Sequence, residues 1–197
     1  MFSGYTVIDN TLDNPQELIE FSKTLKYFTS EDVNTFDIPM QSSEMKKPAG
    51  GWSGCRSLML DKLNYDLFSK TMDQVFNKLF KKLGFVECQY TVEAYLHYLP
   101  ESFVQDPLKF HRDYETLFSG IIYLNNPPPA DAGTIIKINQ KDVIIENKFN
   151  RMVFYNAMLV HAPQNSAGKT FDTSRLTLTF FVRALDVRRS ANFTVVD

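Results

Sequence analysis

The hydrophobic pattern of the chain changes period once, near Gly84. Before it, apolar positions recur at helical spacing. Leu18, Phe21, Leu25 and Phe28 follow Asp13-Asn14-Pro15, a capping residue with proline at a first helical position, and predict a helix through about Tyr27. Phe68, Met72, Val75, Phe76, Leu79, Phe80 and Leu83 form one apolar stripe and predict a second helix, which Gly84 stops. A short strand is expected at 5–9, whereas 29–57 reads as irregular and holds the single tryptophan, Trp52. Beyond Gly84 the period falls to two. Cys88, Tyr90, Val92, Ala94, Leu96 and Tyr98 alternate with Gln89, Thr91, Glu93, Tyr95 and His97. Further strand-like runs lie at 118–124, 133–138, 143–145, 151–155, 159–161 and 176–182, separated by Asn-, Pro- and Gly-containing turns. Helices first and many short strands afterwards predict a mainly β fold with flanking helices (α+β), a sandwich or barrel with the helices packed outside it.

Composition narrows the class. At 197 residues the chain is expected to form one domain: a strand with supporting helices over 1–87, a β core over 88–183 and a C-terminal tail over 184–197. Lys+Arg number 21 against 23 Asp+Glu, a formal net charge of −2, which argues against a nucleic-acid partner bound by phosphate neutralisation. Cys55 and Cys88 form no CxxC pair, which argues against a disulfide framework or thiolate metal site. No charged-then-apolar start and no run of 18 apolar residues is present, so a cytoplasmic protein without a membrane partner is expected. Oligomeric state is left open.

Candidate chemistry begins at His111-Arg112-Asp113. On an extended segment residues i and i+2 share a face, so both side chains can reach one ion, and His161 ends another strand-like run 50 residues later. Two His and one carboxylate on one side of a metal is the arrangement of non-haem Fe(II) oxygenases. The HxD alone is weak, because 23 acidic residues and 3 His make a chance match common, and His111 bonded to Asp113 in a loop explains it equally. Arg175 changes the weighing. It opens a strand in which Arg175, Thr177, Thr179 and Phe181 alternate with Leu176, Leu178, Phe180 and Val182. An interior guanidinium needs an anion, which is either a carboxylate ligand held bidentately or an Asp or Glu of the protein.

Together, His111-x-Asp113, His161 and Arg175 resemble the 2-oxoglutarate/Fe(II)-dependent oxygenase superfamily, in particular its prolyl-hydroxylase-like branch. Ile121-Ile122-Tyr123-Leu124-Asn125 is similar to the strand that follows the HxD in that branch. Gly133-Thr134 stands where the branch usually shows Gly-Gly, and the strand opened by Arg175 resembles the family's final arginine-bearing strand. The likeness covers about 88–183. More weakly, 7–18 and Gly54-Cys55-Arg56 resemble small members of the superfamily that begin with a strand, an Asp-Asn-Pro helix start and a later Gly-x-Arg.

The resemblance implies a double-stranded β-helix (a jelly roll, cupin-like) with Fe(II) on His111, Asp113 and His161. It implies 2-oxoglutarate on that iron, with its far carboxylate on Arg175 and Tyr123, and O₂ as oxidant. Thr177, Tyr95 and His97 are further candidates to touch the co-substrate or substrate. Tyr155 and Arg151 are candidate supports of the iron site. The expected activity is a dioxygenase that hydroxylates a protein side chain or small metabolite and releases succinate and CO₂. Two other readings stand beside it: a catalytically inactive jelly-roll binding module that kept the fold, and a His/Asp/His zinc hydrolase. The latter lacks an evident general base and leaves Arg175 and Tyr123 without a task. Two stretches, 30–57 and 162–174, are candidate lids.

Overall fold

A computed structural model describes residues 4–35, 52–103 and 110–189. The elements in order are β1 (Tyr5–Ile8), α1 (Pro15–Lys23), α2 (Ser30–Thr35), β2 (Cys55–Arg56), α3 (Leu60–Leu63), α4 (Tyr65–Leu83), β3 (Phe85–Leu99), β4 (Phe118–Tyr123), β5 (Thr134–Ile138), β6 (Lys141–Ile145), β7 (Met152–Asn156), β8 (His161–Pro163) and β9 (Arg175–Arg189). Six strands form one antiparallel sheet in the order β1-β7-β4-β9-β3-β2, and three form a second in the order β6-β5-β8. This is the mainly β architecture with helices outside that the change of period predicts, arranged as the jelly roll that the resemblance implies.

The large sheet is covered on both faces, and its register decides what each face does. Phe154, Gly120, Phe180 and Ala94 lie side by side in one row, and Met152, Ile122, Leu178 and Leu96 in the next. These rows face the helices and join Val75, Phe76 and Leu79 of α4 in the main core. Phe76 stacks on Tyr90 at 3.8 Å and meets Phe180 edge-on at 6.3 Å, while Phe154 stacks on both Phe118 and Phe180. Phe76, Phe118, Phe154 and Phe180 therefore serve one helix-to-sheet contact. The opposite face carries Ile121, Tyr123, Val153 and Tyr155, which pack on Ile136 and Ile145 of the small sheet. Alternation along β3 and β9 thus separates an apolar outer face from a polar inner one.

α4 has the ends its sequence calls for. The Asn64 side chain accepts a hydrogen bond from the Leu67 amide, and Gly84 closes the helix in the left-handed conformation at φ 70°. α1 stops at Lys23, four residues short of the expected Tyr27, because the Thr24 amide turns back to the carbonyls of Phe21 and Ser22. Asn14 stands at its N-cap without a side-chain cap bond. The stretch 29–57, expected to be irregular, contains α2 and β2 among its described residues. Residues 184–189, expected to begin a C-terminal tail, continue β9, because β3 extends to Phe85 and supplies them a partner. The opening strand, β1, is an edge of the large sheet beside β7. No helix among the described residues is long and apolar enough to cross a membrane.

Gly120 shows how tightly the outer face is packed. A Cβ there would collide with the ring of Phe180, its neighbour across the sheet. Gly120→Ala is therefore expected to lower unfolding stability by about 1–3 kcal/mol through overpacking, read as a lower urea midpoint. Adding Phe180→Leu should recover part of the loss. An unchanged midpoint in Gly120→Ala would contradict this packing.

Candidate active site

His111 and His161 are brought together by backbone before any side chain acts. The two residues face each other in an isolated antiparallel bridge, each amide donating to the other's carbonyl at 3.0 Å. Their rings consequently lie 4.3 Å apart, centroid to centroid. The Asp113 amide donates to the Ala157 carbonyl, and Arg112 Nε donates to the Met158 carbonyl. The HxD segment is thus fastened along the connection from β7 to β8.

Asp113 completes the cluster. One carboxylate oxygen lies 3.6 Å from His111 Nε2 and the other 3.4 Å from His161 Nε2, and the donor atoms of the three residues all lie within 4.8 Å of one another. Two ligands each about 2.1 Å from a single ion stand about 3–3.5 Å apart, so one ion can bind all three. His161 Nδ1 bonds the Leu159 carbonyl at 2.9 Å. A carbonyl only accepts, so Nδ1 carries the proton and Nε2 presents its lone pair to the site. Burial holds the His161 pKa below the usual histidine value against the pull of Asp113, and the nearby His111 also lowers it. Tyr155 packs on the His161 ring at 4.7 Å. The His161 side chain is 5% exposed and that of His111 49%, so the metal would be reached from the His111 side. Neutral imidazoles and a carboxylate suit Fe(II), and among the described residues no other His, Cys, Asp or Glu cluster has this geometry.

The second half of the site stands on the inner face of the large sheet. Tyr123, Thr177, His97 and Arg56 form one cross-strand row through β4, β9, β3 and β2. Arg175 is two residues from Thr177 on the same strand and so shares its face. It is buried, 3% exposed. Nε donates to the Ala132 carbonyl at 2.8 Å, and Nη2 to Thr134 Oγ1 at 3.3 Å. The Tyr123 hydroxyl donates to the same Thr134 oxygen at 2.6 Å, and its ring lies 5.5 Å from the guanidinium carbon. Among the described residues no carboxylate pairs with Arg175, so the internal salt bridge that the sequence also allowed is not found among them. Burial pushes its pKa down, opposed chiefly by Tyr123. Burial raises that of Tyr123, which keeps the phenol protonated and able to donate.

The other sequence-predicted residues divide. Thr177 Oγ1 donates to the His97 carbonyl at 3.3 Å and shares a 3.3 Å contact with Thr179 Oγ1, so it braces β9 against β3. His97 Nε2 bonds the Ser53 carbonyl at 2.6 Å, and burial, then the charges of Arg56 and Arg175, hold its pKa well below normal. Tyr95 is fully buried on the same inner face, its hydroxyl 3.4 Å from Glu93. Arg151 does not support the metal: it forks onto Asp9 at 2.6 and 3.2 Å and fastens the end of β1. Of the two candidate lids, 162–174 is described as a turn-rich connection, and part of 30–57 lies outside the described residues.

Sequence reading missed two residues of the site. Ser119 donates to the second oxygen of Asp113 at 2.5 Å. Thr134 accepts from both Arg175 and Tyr123. Ser119 alternates with Ile121 and Tyr123 on β4, and Thr134 stands in the Gly133-Thr134 pair likened to the family's Gly-Gly, but neither residue type points to a site by itself.

With this geometry in hand, comparison with solved structures is decisive for the fold. A Pseudomonas putida prolyl-4-hydroxylase matches over 96% of this chain and 94% of its own, at 15% identity and a TM-score of 0.56. A 2OG-Fe(II) oxygenase family oxidoreductase from Burkholderia pseudomallei matches over 91% of this chain and 84% of its own, at 10% identity and a TM-score of 0.61. The chain has the fold of these oxygenases. HygX from Streptomyces hygroscopicus, solved with nickel and 2-oxoglutarate bound, matches over 98% of this chain and 85% of its own, at 12% identity and a TM-score of 0.57. No protein-family model and no curated protein matches the sequence.

Ser119 supplies the test of the metal half. Ser119→Ala removes the donor that orients Asp113 and is expected to weaken Mn(II) binding about 10-fold, whereas His161→Ala abolishes it. Equal affinity in Ser119→Ala and the native protein, measured by calorimetry, would contradict the orienting role.

Proposed function

We propose that the protein is a 2-oxoglutarate- and Fe(II)-dependent dioxygenase that oxidises a C–H bond of a substrate. The observation that carries this reading is the buried Arg175 beside Tyr123, without a carboxylate partner among the described residues, on the face that also looks onto the His111–Asp113–His161 cluster. A cation sealed from water without an acidic partner is costly unless a ligand answers it. A dicarboxylate with one end on a metal and the other on a guanidinium satisfies both halves. The oxygenase fold and the donor set support the same conclusion.

The residues divide the work. His111, Asp113 and His161 would hold Fe(II), which would supply O₂ activation coupled to conversion of 2-oxoglutarate into succinate and CO₂. Arg175 fixes the far carboxylate and sets the orientation of the co-substrate, with Tyr123 donating a further hydrogen bond. Thr134 holds both donors in place before the ligand arrives. The apolar packing of Ile121, Ile136 and Val153 around Tyr123 excludes water from its side of the site. Localisation in the cytoplasm is part of the proposal.

Under anaerobic conditions, Fe(II) with 2-oxoglutarate should give the weak visible charge-transfer band of the chelate. Arg175→Met is expected to weaken 2-oxoglutarate binding about 100-fold, the worth of a buried charge-assisted pair, and to leave iron affinity within about twofold. His111→Ala should lose succinate formation in air. No band despite stoichiometric iron would overturn the co-substrate assignment, and equal loss of iron in Arg175→Met would overturn the division of roles.

A further inference from the structure

Arg56 is a second cation on the inner face, and the dioxygenase reading gives it no task. It belongs to β2, a two-residue strand pairing Cys55 with Tyr98 and Arg56 with His97. That register sets Arg56 at the end of the row Tyr123–Thr177–His97, on the same face as the co-substrate residues. Its guanidinium carbon lies 5.0 Å from the Trp52 ring, 5.6 Å from Phe181 and 6.0 Å from Tyr95. Aromatic faces stabilise a guanidinium without supplying acceptors for its N–H groups.

Two donors there are unanswered. Arg56 Nε and Trp52 Nε1 are both sealed from solvent, and neither has a hydrogen-bond partner among the described residues. A buried donor without an acceptor costs about 1–3 kcal/mol, and two on residues in contact can be answered by one acceptor-rich group. The protein does not provide it from the obvious neighbour. Glu93, two residues from Tyr95, is held by Arg183 in a fork at 2.7 and 3.0 Å. Arg56 also lies within the electrostatic reach of Asp113, whose carboxylate opposes the lowering of its pKa by burial. Phe181 pairs with Ser119, whose hydroxyl donates to Asp113, so the cage lies beside the metal ligands on the inner face.

Charge narrows the ligand. A divalent metal, Asp113, the dianionic co-substrate and Arg175 sum to zero, which leaves the single charge of Arg56 unbalanced. One positive charge is neutralised by a monoanion, whereas a phosphate dianion would leave an excess. A planar carboxylate also matches the fork of guanidinium donors and the adjacent indole N–H.

We propose that Arg56 and Trp52 form the anchor for a carboxylate of the primary substrate, a small organic monoacid seated in the cage of Trp52, Tyr95 and Phe181. The assignment rests on the dioxygenase reading, since it takes the site opposite the co-substrate as the substrate's. Arg56 is then the residue that selects acids over their neutral analogues.

Trp52 is the single tryptophan, so intrinsic fluorescence reports directly on the cage. The protein, loaded with Mn(II) and 2-oxoglutarate, is titrated with acetate, cyclohexanecarboxylate and N-acetylglycine, each against its amide. At least one acid is expected to shift the fluorescence at a concentration at least 10-fold below that of its amide. Arg56→Met should erase this preference, Arg56→Lys should retain part of it, and both should bind 2-oxoglutarate within twofold of the native protein. No acid preferred over its amide in the native protein would overturn the anchor, as would a preference that survives in Arg56→Met. If 2-oxoglutarate fails to bind while acids still bind through Arg56, the dioxygenase reading falls and the anchor stands.

Discussion

A guanidinium sealed inside a protein requires an answering group, and among the described residues of this chain Arg175 has no carboxylate of its own. Its partners are a backbone carbonyl and one threonine hydroxyl, which orient it but leave its charge unneutralised. The arrangement around it follows from that constraint. Tyr123 is kept protonated beside it, Thr134 holds both, and the apolar residues between the two sheets exclude the water that would otherwise screen the charge. In the proposed function a carboxylate of the ligand answers that charge.

The metal half depends on a different device. Backbone pairing of His111 with His161 fixes the two rings before any ion is present, and Asp113 is set between them by the Ala157 carbonyl and the Ser119 hydroxyl. Pre-positioned ligands spare a metal the cost of ordering them. The two halves meet because alternation along β4 and β9 turns every second residue inward, while the outward residues pack on α4. One sheet thus carries the core on one face and the chemistry on the other.

Much of this was legible in the sequence. His111, Asp113, His161 and Arg175 stood out by residue type and spacing, Tyr123 entered only through the family resemblance, and the change of period near Gly84 separated helices from sheet. What escaped depends on register. Ser119 and Thr134 are ordinary hydroxyl residues whose importance comes only from what lies across the strands from them. Arg56 sits in a two-residue strand within a stretch whose pattern shows no period, and only its pairing with His97 puts it on the inner face. Strand ends escaped for the same reason: residues 184–189 are polar and charged enough to read as a tail, and become β9 because β3 is long enough to pair with them.

The central claim is that a metal on His111–Asp113–His161 and a dicarboxylate on Arg175 occupy one continuous site. Thermal midpoints of the protein with Mn(II) alone, with 2-oxoglutarate alone and with both test it most directly. A shared site predicts that 2-oxoglutarate alone stabilises little and that the shift with both exceeds the sum of the separate shifts, because each ligand raises the affinity for the other. A shift equal to that sum would contradict it.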